Sequence, residues 1–208
     1  MRAGECRCRR ERVHPRPIDE GSYCSEDGDP CTIDACRSGD CRHDVDGSGP
    51  RCVALAAPYR TATSLLAGTR ELEAELRAAI AVACNRVGTS CDVAPSADAD
   101  RLVSLLGSTE NDLGTAALAL AGRLVESSSP AVSRDPVVRA RLALGLIAGV
   151  PTELRGFLAT LAQARAQHTV GPAYARARRT EGRRLLSGSG RLRRQLLHIV
   201  ARRQTFAR

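Results

Sequence analysis

From about residue 61 the apolar positions recur every three or four residues, the period of helices that bury one face. Leu65, Leu72, Leu76, Ile80, Ala83 and Val87 share such a face, Glu71, Glu73 and Arg77 lie off it, and Gly88 supplies a stop. Ser96 or Asp98 is placed to cap a short helix through Leu106. Ser108 or Thr109 is placed to cap the next, which runs to about Glu126 with Leu113, Ala116, Ala117, Leu120 and Leu124 turned inward. The polar run from Ser127 to Pro130 is a break. Asp135 followed by Pro136 is a strong helix start, because Asp accepts the first free N–H groups and Pro fits the first turn. That helix carries Val138, Leu142 and Leu146 and ends near Gly149; Thr152 opens another, with Leu154, Phe157, Leu158 and Leu161 in register. The pattern over 173–208 predicts two helices divided at Ser187, Gly188, Ser189 and Gly190. In the first, Arg176, Arg179 and Arg183 share a face. In the second, Leu192, Leu196, Ile199 and Val200 form an apolar arc, with Arg193, Arg194 and Arg202 outside it and Arg203 interrupting it.

Before residue 53 this periodicity is missing. Five cysteines fall between Cys24 and Cys52, in a stretch rich in Gly, Asp, Ser and Pro that has little besides Ile33 and Val45 to bury. Chain entropy there must be offset by crosslinks or a metal. Disulfides would contribute roughly 2–4 kcal/mol each. Cys24, Cys31, Cys36, Cys41 and Cys52 are the candidates, and Cys84 with Cys91 would staple the end of the first long helix to the next loop. Zinc is the competing device, with His43 as a further ligand, but the usual paired Cys-x2-Cys spacing is absent. Asp27, Asp29 and Asp34 offer oxygen ligands for calcium without the spacing of an EF-hand loop, and turn-making is the favoured account of them. Cys6 and Cys8 sit in a basic leader, and the total of nine cysteines leaves one thiol free or bridged to another chain.

The run Asp27-Gly-Asp-Pro-Cys31-Thr-Ile-Asp34-Ala-Cys36, followed by Gly39, Cys41 and His43, resembles the CTDC repeat of slime-mould extracellular matrix proteins. Similar repeats occur in secreted bacterial proteins. The resemblance covers about 20 residues in a single copy. It implies an extracellular structural or binding module and names no catalytic residue.

Composition refines the picture. With no Trp, two Phe and three Tyr among 208 residues, the core must be built from aliphatic helix faces. All 31 basic residues are Arg. Codon bias in a GC-rich genome produces such a usage, and so does selection for the bidentate guanidinium. The +8 net charge is polarised: +4 over 1–17, −6 over 18–52, zero over 53–172 and +10 over 173–208. A basic amphipathic end of that kind suits an anionic membrane surface or nucleic acid phosphates, or else docks on the bundle with its arginines in water. Tyr174 and Phe206 are the only aromatic residues there, too few for single-strand stacking. No stretch approaches the ~18 consecutive apolar residues of a membrane span. Met1 to Cys6 lacks the apolar stretch of a secretory signal, so export requires a signal upstream of this start.

The expected fold is mainly α: a basic leader over 1–17, a disulfide-rich irregular module over 18–52, a multi-helix bundle over 53–170 and an arginine-rich helical tail over 171–208. No metal motif on a helix, phosphate loop or nucleophile elbow is present, and His168 stands alone beside the bundle. The expected function is therefore non-enzymatic and without cofactor: an extracellular or cell-surface structural or interaction protein with a protein or matrix partner. The alternative is an intracellular basic protein binding anionic membrane or nucleic acid through Arg176, Arg179, Arg183, Arg193, Arg194 and Arg202.

Overall fold

The computed structural model describes residues 32–37, 40–45, 53–81, 92–122 and 135–206. These are mainly helical. A two-stranded antiparallel hairpin, β1 (Thr32–Arg37) and β2 (Asp40–Val45), precedes α1 (Val53–Ala81), α2 (Ala97–Leu120), α3 (Pro136–Leu146), α4 (Val150–Ala166) and α5 (Pro172–Phe206).

Four helices close a ring in which α1 packs on α2, α2 on α4, α4 on α5 and α5 on α1. Cross-helix partners fix the directions. Arg70 pairs with Glu110 at 2.8 Å, and Leu66 lies against Gly114, so α1 and α2 run antiparallel. Asp98 faces Gln163 and Thr109 faces Glu153, so α2 and α4 do likewise. Leu65 meets Gly188, and Leu185 meets Gly68, so α5 is antiparallel to α1. The result is an up-down-up-down bundle with the short α3 laid against α2 and α5. Its core is aliphatic, centred on Leu72, Leu76, Leu102, Leu106, Leu113, Leu154, Leu192 and Leu196, with Phe157 the one buried phenyl ring among the described residues.

Several sequence expectations hold. Ser96 caps α2 by accepting from the Ala99 N–H, and Asp135 caps α3 by accepting from the Val137 N–H at 2.8 Å. Leu65, Leu72 and Leu76 are buried as the period predicts.

Others are corrected. The helix expected to break near Ser108 is one continuous α2, because Ser108 and Thr109 reach across to Glu153 instead of capping a new start. Buried on α3 are Arg139, Ala140, Ala143 and the following Ile147, with Val138, Leu142 and Leu146 only half-buried. Helix α4 begins at Val150 with Pro151 in its first turn, ahead of Thr152. Glu73, expected off the core face, is buried beside Gly107 and pairs with Arg77 at 2.7 Å. The stretch Pro136–Ala166 is, by length and composition, long and apolar enough to cross a membrane, contrary to expectation. Here it is interrupted at Ile147–Gly149, and Val150, Leu154, Phe157 and Leu161 enter the bundle core.

The largest difference concerns 173–208. Pro172–Phe206 forms one 35-residue helix that runs straight through Gly188 and Gly190. A Cβ added at Gly188 would lie 2.5 Å from Leu65 Cδ2, and one at Gly182 would lie 2.9 Å from Leu158 Cδ2 and 3.1 Å from Phe157 Cε1. These glycines admit neighbouring helices; they do not break their own. The helix tolerates their entropic cost because packing supplies most helical stability in a protein.

Candidate anion-binding face

Helix α5 has two chemically opposite sides. Tyr174, Ala175, Leu185, Leu192, Leu196 and Ile199 are buried against the bundle. Arg176, Arg179, Arg183, Arg184, Arg191, Arg193 and Arg194 are exposed. At 3.6 residues per turn, Arg176, Arg179, Arg183 and Arg194 fall within an arc of about 60° and span about 27 Å of helix axis. Arg184 and Arg191 flank that row on the α1 side. Among the described residues none of these seven is in an ion pair.

Arg178 behaves differently. Its guanidinium is held by Glu75 of α1 and by Glu181 at 2.7 Å, and lies 5.0 Å from the centre of the Tyr174 ring. Burial pushes the Tyr174 hydroxyl up to about 12, with the nearby Glu75, Asp92 and Glu181 charges adding to the shift and Arg178 opposing it. That hydroxyl is buried without a hydrogen-bond partner.

Between α1 and α5 runs a groove of about 900 Å³. Leu65, Gly68, Leu185 and Gly188 contribute to its lining, which also carries Arg60, Ser64, Arg184, Ser187, Arg191 and Gln195. Gln195 Oε1 is buried with no hydrogen-bond partner. Glu71 and Glu181 stand at the opposite end of the groove.

Of the arginines singled out from sequence, Arg176, Arg179, Arg183 and Arg194 share the outer arc, and Arg193 lies to the α4 side. Arg202 belongs to α5 by its backbone. Continuity of the helix aligns Arg194 with Arg176, a relation that a break at 187–190 would have erased. Arg60, Arg184 and Arg191 join the site only in the structure. The spacing of Arg184, Ser187 and Arg191 was a usable sign for two of them, whereas Arg60 joins them only through the pairing of α1 with α5.

In the hairpin, Cys36 stands opposite Cys41 and Asp34 opposite His43. Cys24, Cys31, Cys52, Cys84, Cys91, Asp27 and Asp29 lie outside the described residues. Among the described residues no group of three or more His, Cys, Asp or Glu is placed to hold a metal ion. No family model, curated protein or solved structure matches the chain.

Proposed function

We propose that this is a non-enzymatic interaction protein that engages an acidic polymer at a cell surface or in an extracellular matrix through the outer face of α5. The observation that carries the reading is the pairing of seven exposed arginines, free of carboxylate partners among the described residues, with an apolar side already spent on the bundle core. An amphipathic helix that inserts in a membrane needs its apolar side free. Here that side is occupied, so attraction by charge is the contact left to the arginines. The extracellular setting rests on the cysteine-rich stretch before α1 and its resemblance to the CTDC repeat. The antiparallel register that brings Cys36 opposite Cys41 supports a staple within that module, since directly opposed residues have Cα atoms about 4.5–5.5 Å apart, within the range a disulfide bridges.

Retention of the full chain on immobilised heparin tests the polymer contact. Wild-type protein is expected to elute late and earlier with rising salt. The variant Arg176→Gln/Arg179→Gln/Arg183→Gln/Arg194→Gln should elute at clearly lower salt with an unchanged melting temperature. Equal elution of the two proteins overturns the assignment to this face. Alkylation with and without prior reduction, on protein made in an oxidising host, tests the setting. A Cys36–Cys41 linked peptide supports the staple, whereas free alkylation of most cysteines overturns it and turns attention to an intracellular polyanion.

A further inference from the structure

The α1–α5 groove has a chemistry distinct from the open arginine row. Two Leu–Gly contacts set it up. Leu65 packs over Gly188 and Leu185 over Gly68, so the same Leu-Leu-small-Gly sequence, 65–68 on α1 and 185–188 on α5, meets its antiparallel counterpart. The glycines bring the two backbones close and leave the flanking Ser64 and Ser187 to line a channel in place of bulky side chains. Neither serine hydroxyl donates to a partner among the described residues. Arg184 and Arg191 stand about 10.5 Å apart along α5, with Ser187 between them. Arg60 comes from the facing helix, near the same end as Gln195 and Arg191. The antiparallel pairing places it there, since residue 65 meets 188 and residue 68 meets 185.

A ligand suited to this lining must supply negative charge to three guanidinium groups and hydroxyl groups to two serines and to the Gln195 amide. The groove has no aromatic lining on which a nucleic acid base would stack. Glu71 and Glu181 repel an anion at the far end, which limits the bound segment to a short one. We infer that the α1–α5 groove is a binding site for an acidic oligosaccharide, a short sulfated or carboxylated stretch seated by Arg60, Arg184 and Arg191 with its hydroxyls on Ser64, Ser187 and Gln195. The inference rests on the acidic-polymer reading and gives it a seat: the outer row gathers the polymer and the groove holds one segment of it.

Titration of the full chain with a labelled heparin tetrasaccharide, and separately with tetragalacturonate, tests the groove. The variant Arg184→Gln/Arg191→Gln is expected to weaken binding of the better ligand at least tenfold. The variant Arg141→Gln/Arg155→Gln removes the same charge from exposed positions on α3 and α4 and should change it less than twofold. Gln195→Leu should weaken it about threefold. Preference for the heparin fragment identifies sulfate as the favoured anion, and equal affinity identifies carboxylate as sufficient. Equal losses in the two double variants overturn the groove, because net charge alone then explains binding. So does a wild-type chain that binds neither tetrasaccharide. If long heparin is still retained in those cases, the arginine face stands without the groove; if it is not, that reading falls as well.

Discussion

The α1–α5 and α2–α4 seams of the bundle balance packing and polar contact differently. Between α1 and α5, leucines seat on glycines, and the two backbones approach as closely as those contacts allow. Between α2 and α4, Leu105 lies at ordinary contact distance from Gly156, and hydrogen bonds from side chains join the helices as well. Glu153, in the first turn of α4, accepts from Ser108 at 2.6 Å and from Thr109 at 3.0 Å, and Asp112 lies close to the same helix start. The first seam carries the Glu75–Arg178 ion pair too, but its tightest contacts, the Leu–Gly pairs, depend on volume. The second tolerates changes of size better and responds to protonation. Burial, with the Glu153 charge as the smaller cause, raises the Asp112 carboxyl above its ordinary value.

The sharpest way to break this contrast is to overfill the first seam. Gly188→Val should destabilise the chain by about 3 kcal/mol, because the new side chain meets Leu65 at once. Leu65→Ala should cost about 2–4 kcal/mol by leaving a cavity. Combined, the two should interact favourably by at least about 1 kcal/mol, since the valine fills the space the leucine vacates. Additivity in chemical denaturation would show that the two residues do not share a site.

The corresponding cut in the second seam is smaller. Glu153→Gln should cost about 1 kcal/mol, since it replaces charge-assisted bonds with neutral ones and removes a negative charge from the start of α4. A loss as large as that of Gly188→Val would erase the distinction between the seams. Gly145 supplies a control, with no atom within 4 Å of where its Cβ would stand. Gly145→Ala should raise stability by about 0.5–1 kcal/mol through helix propensity alone.

The remaining tests use pH. The Tyr174 hydroxyl has its ordinary value at 10.0 and is raised to about 12 by folding. The unfolded chain therefore releases that proton first, and stability falls as pH climbs between about 10 and 12. Tyr174→Phe should be within about 1 kcal/mol of wild type at pH 7, as the hydroxyl has no partner to lose, and should shed this share of the alkaline loss. Identical alkaline melting curves for the two proteins would rule it out. The smallest effect is expected at Asp112. A carboxyl raised by folding is under no penalty at acid pH, and the penalty appears as pH rises through the raised value. Asp112→Asn should thus gain a few tenths of a kcal/mol over wild type at pH 7 and nothing near pH 3. Parallel melting-temperature profiles would break the assignment.

What was legible in the sequence follows from this difference. The inward leucines of α1, the Asp135–Pro136 start and the Ser96 cap are local signals, readable because a 3.6-residue period or one side-chain acceptor decides them. The candidate site was half legible. Arg176, Arg179 and Arg183 recur at helical spacing and read as one face, while Arg184, Arg191 and Gln195 become a groove lining only beside Arg60 and Ser64. Gly188 and Gly190 read as a break, since glycine weakens a helix considered alone. The packing of Leu65 outweighs that preference.

Read along the chain alone, the pattern settles that the described segments after residue 53 are helical, that their core is aliphatic, and that charge is concentrated on one side of the last of them. Each of these depends on composition and spacing within one helix. Tertiary structure decided that α2 and α5 each run unbroken, which small residues serve as contact points, that Glu73 is buried, and that two helices distant in sequence form one basic groove. Those outcomes depend on which helices meet and at what register, and a period measured along one helix carries no record of its partner.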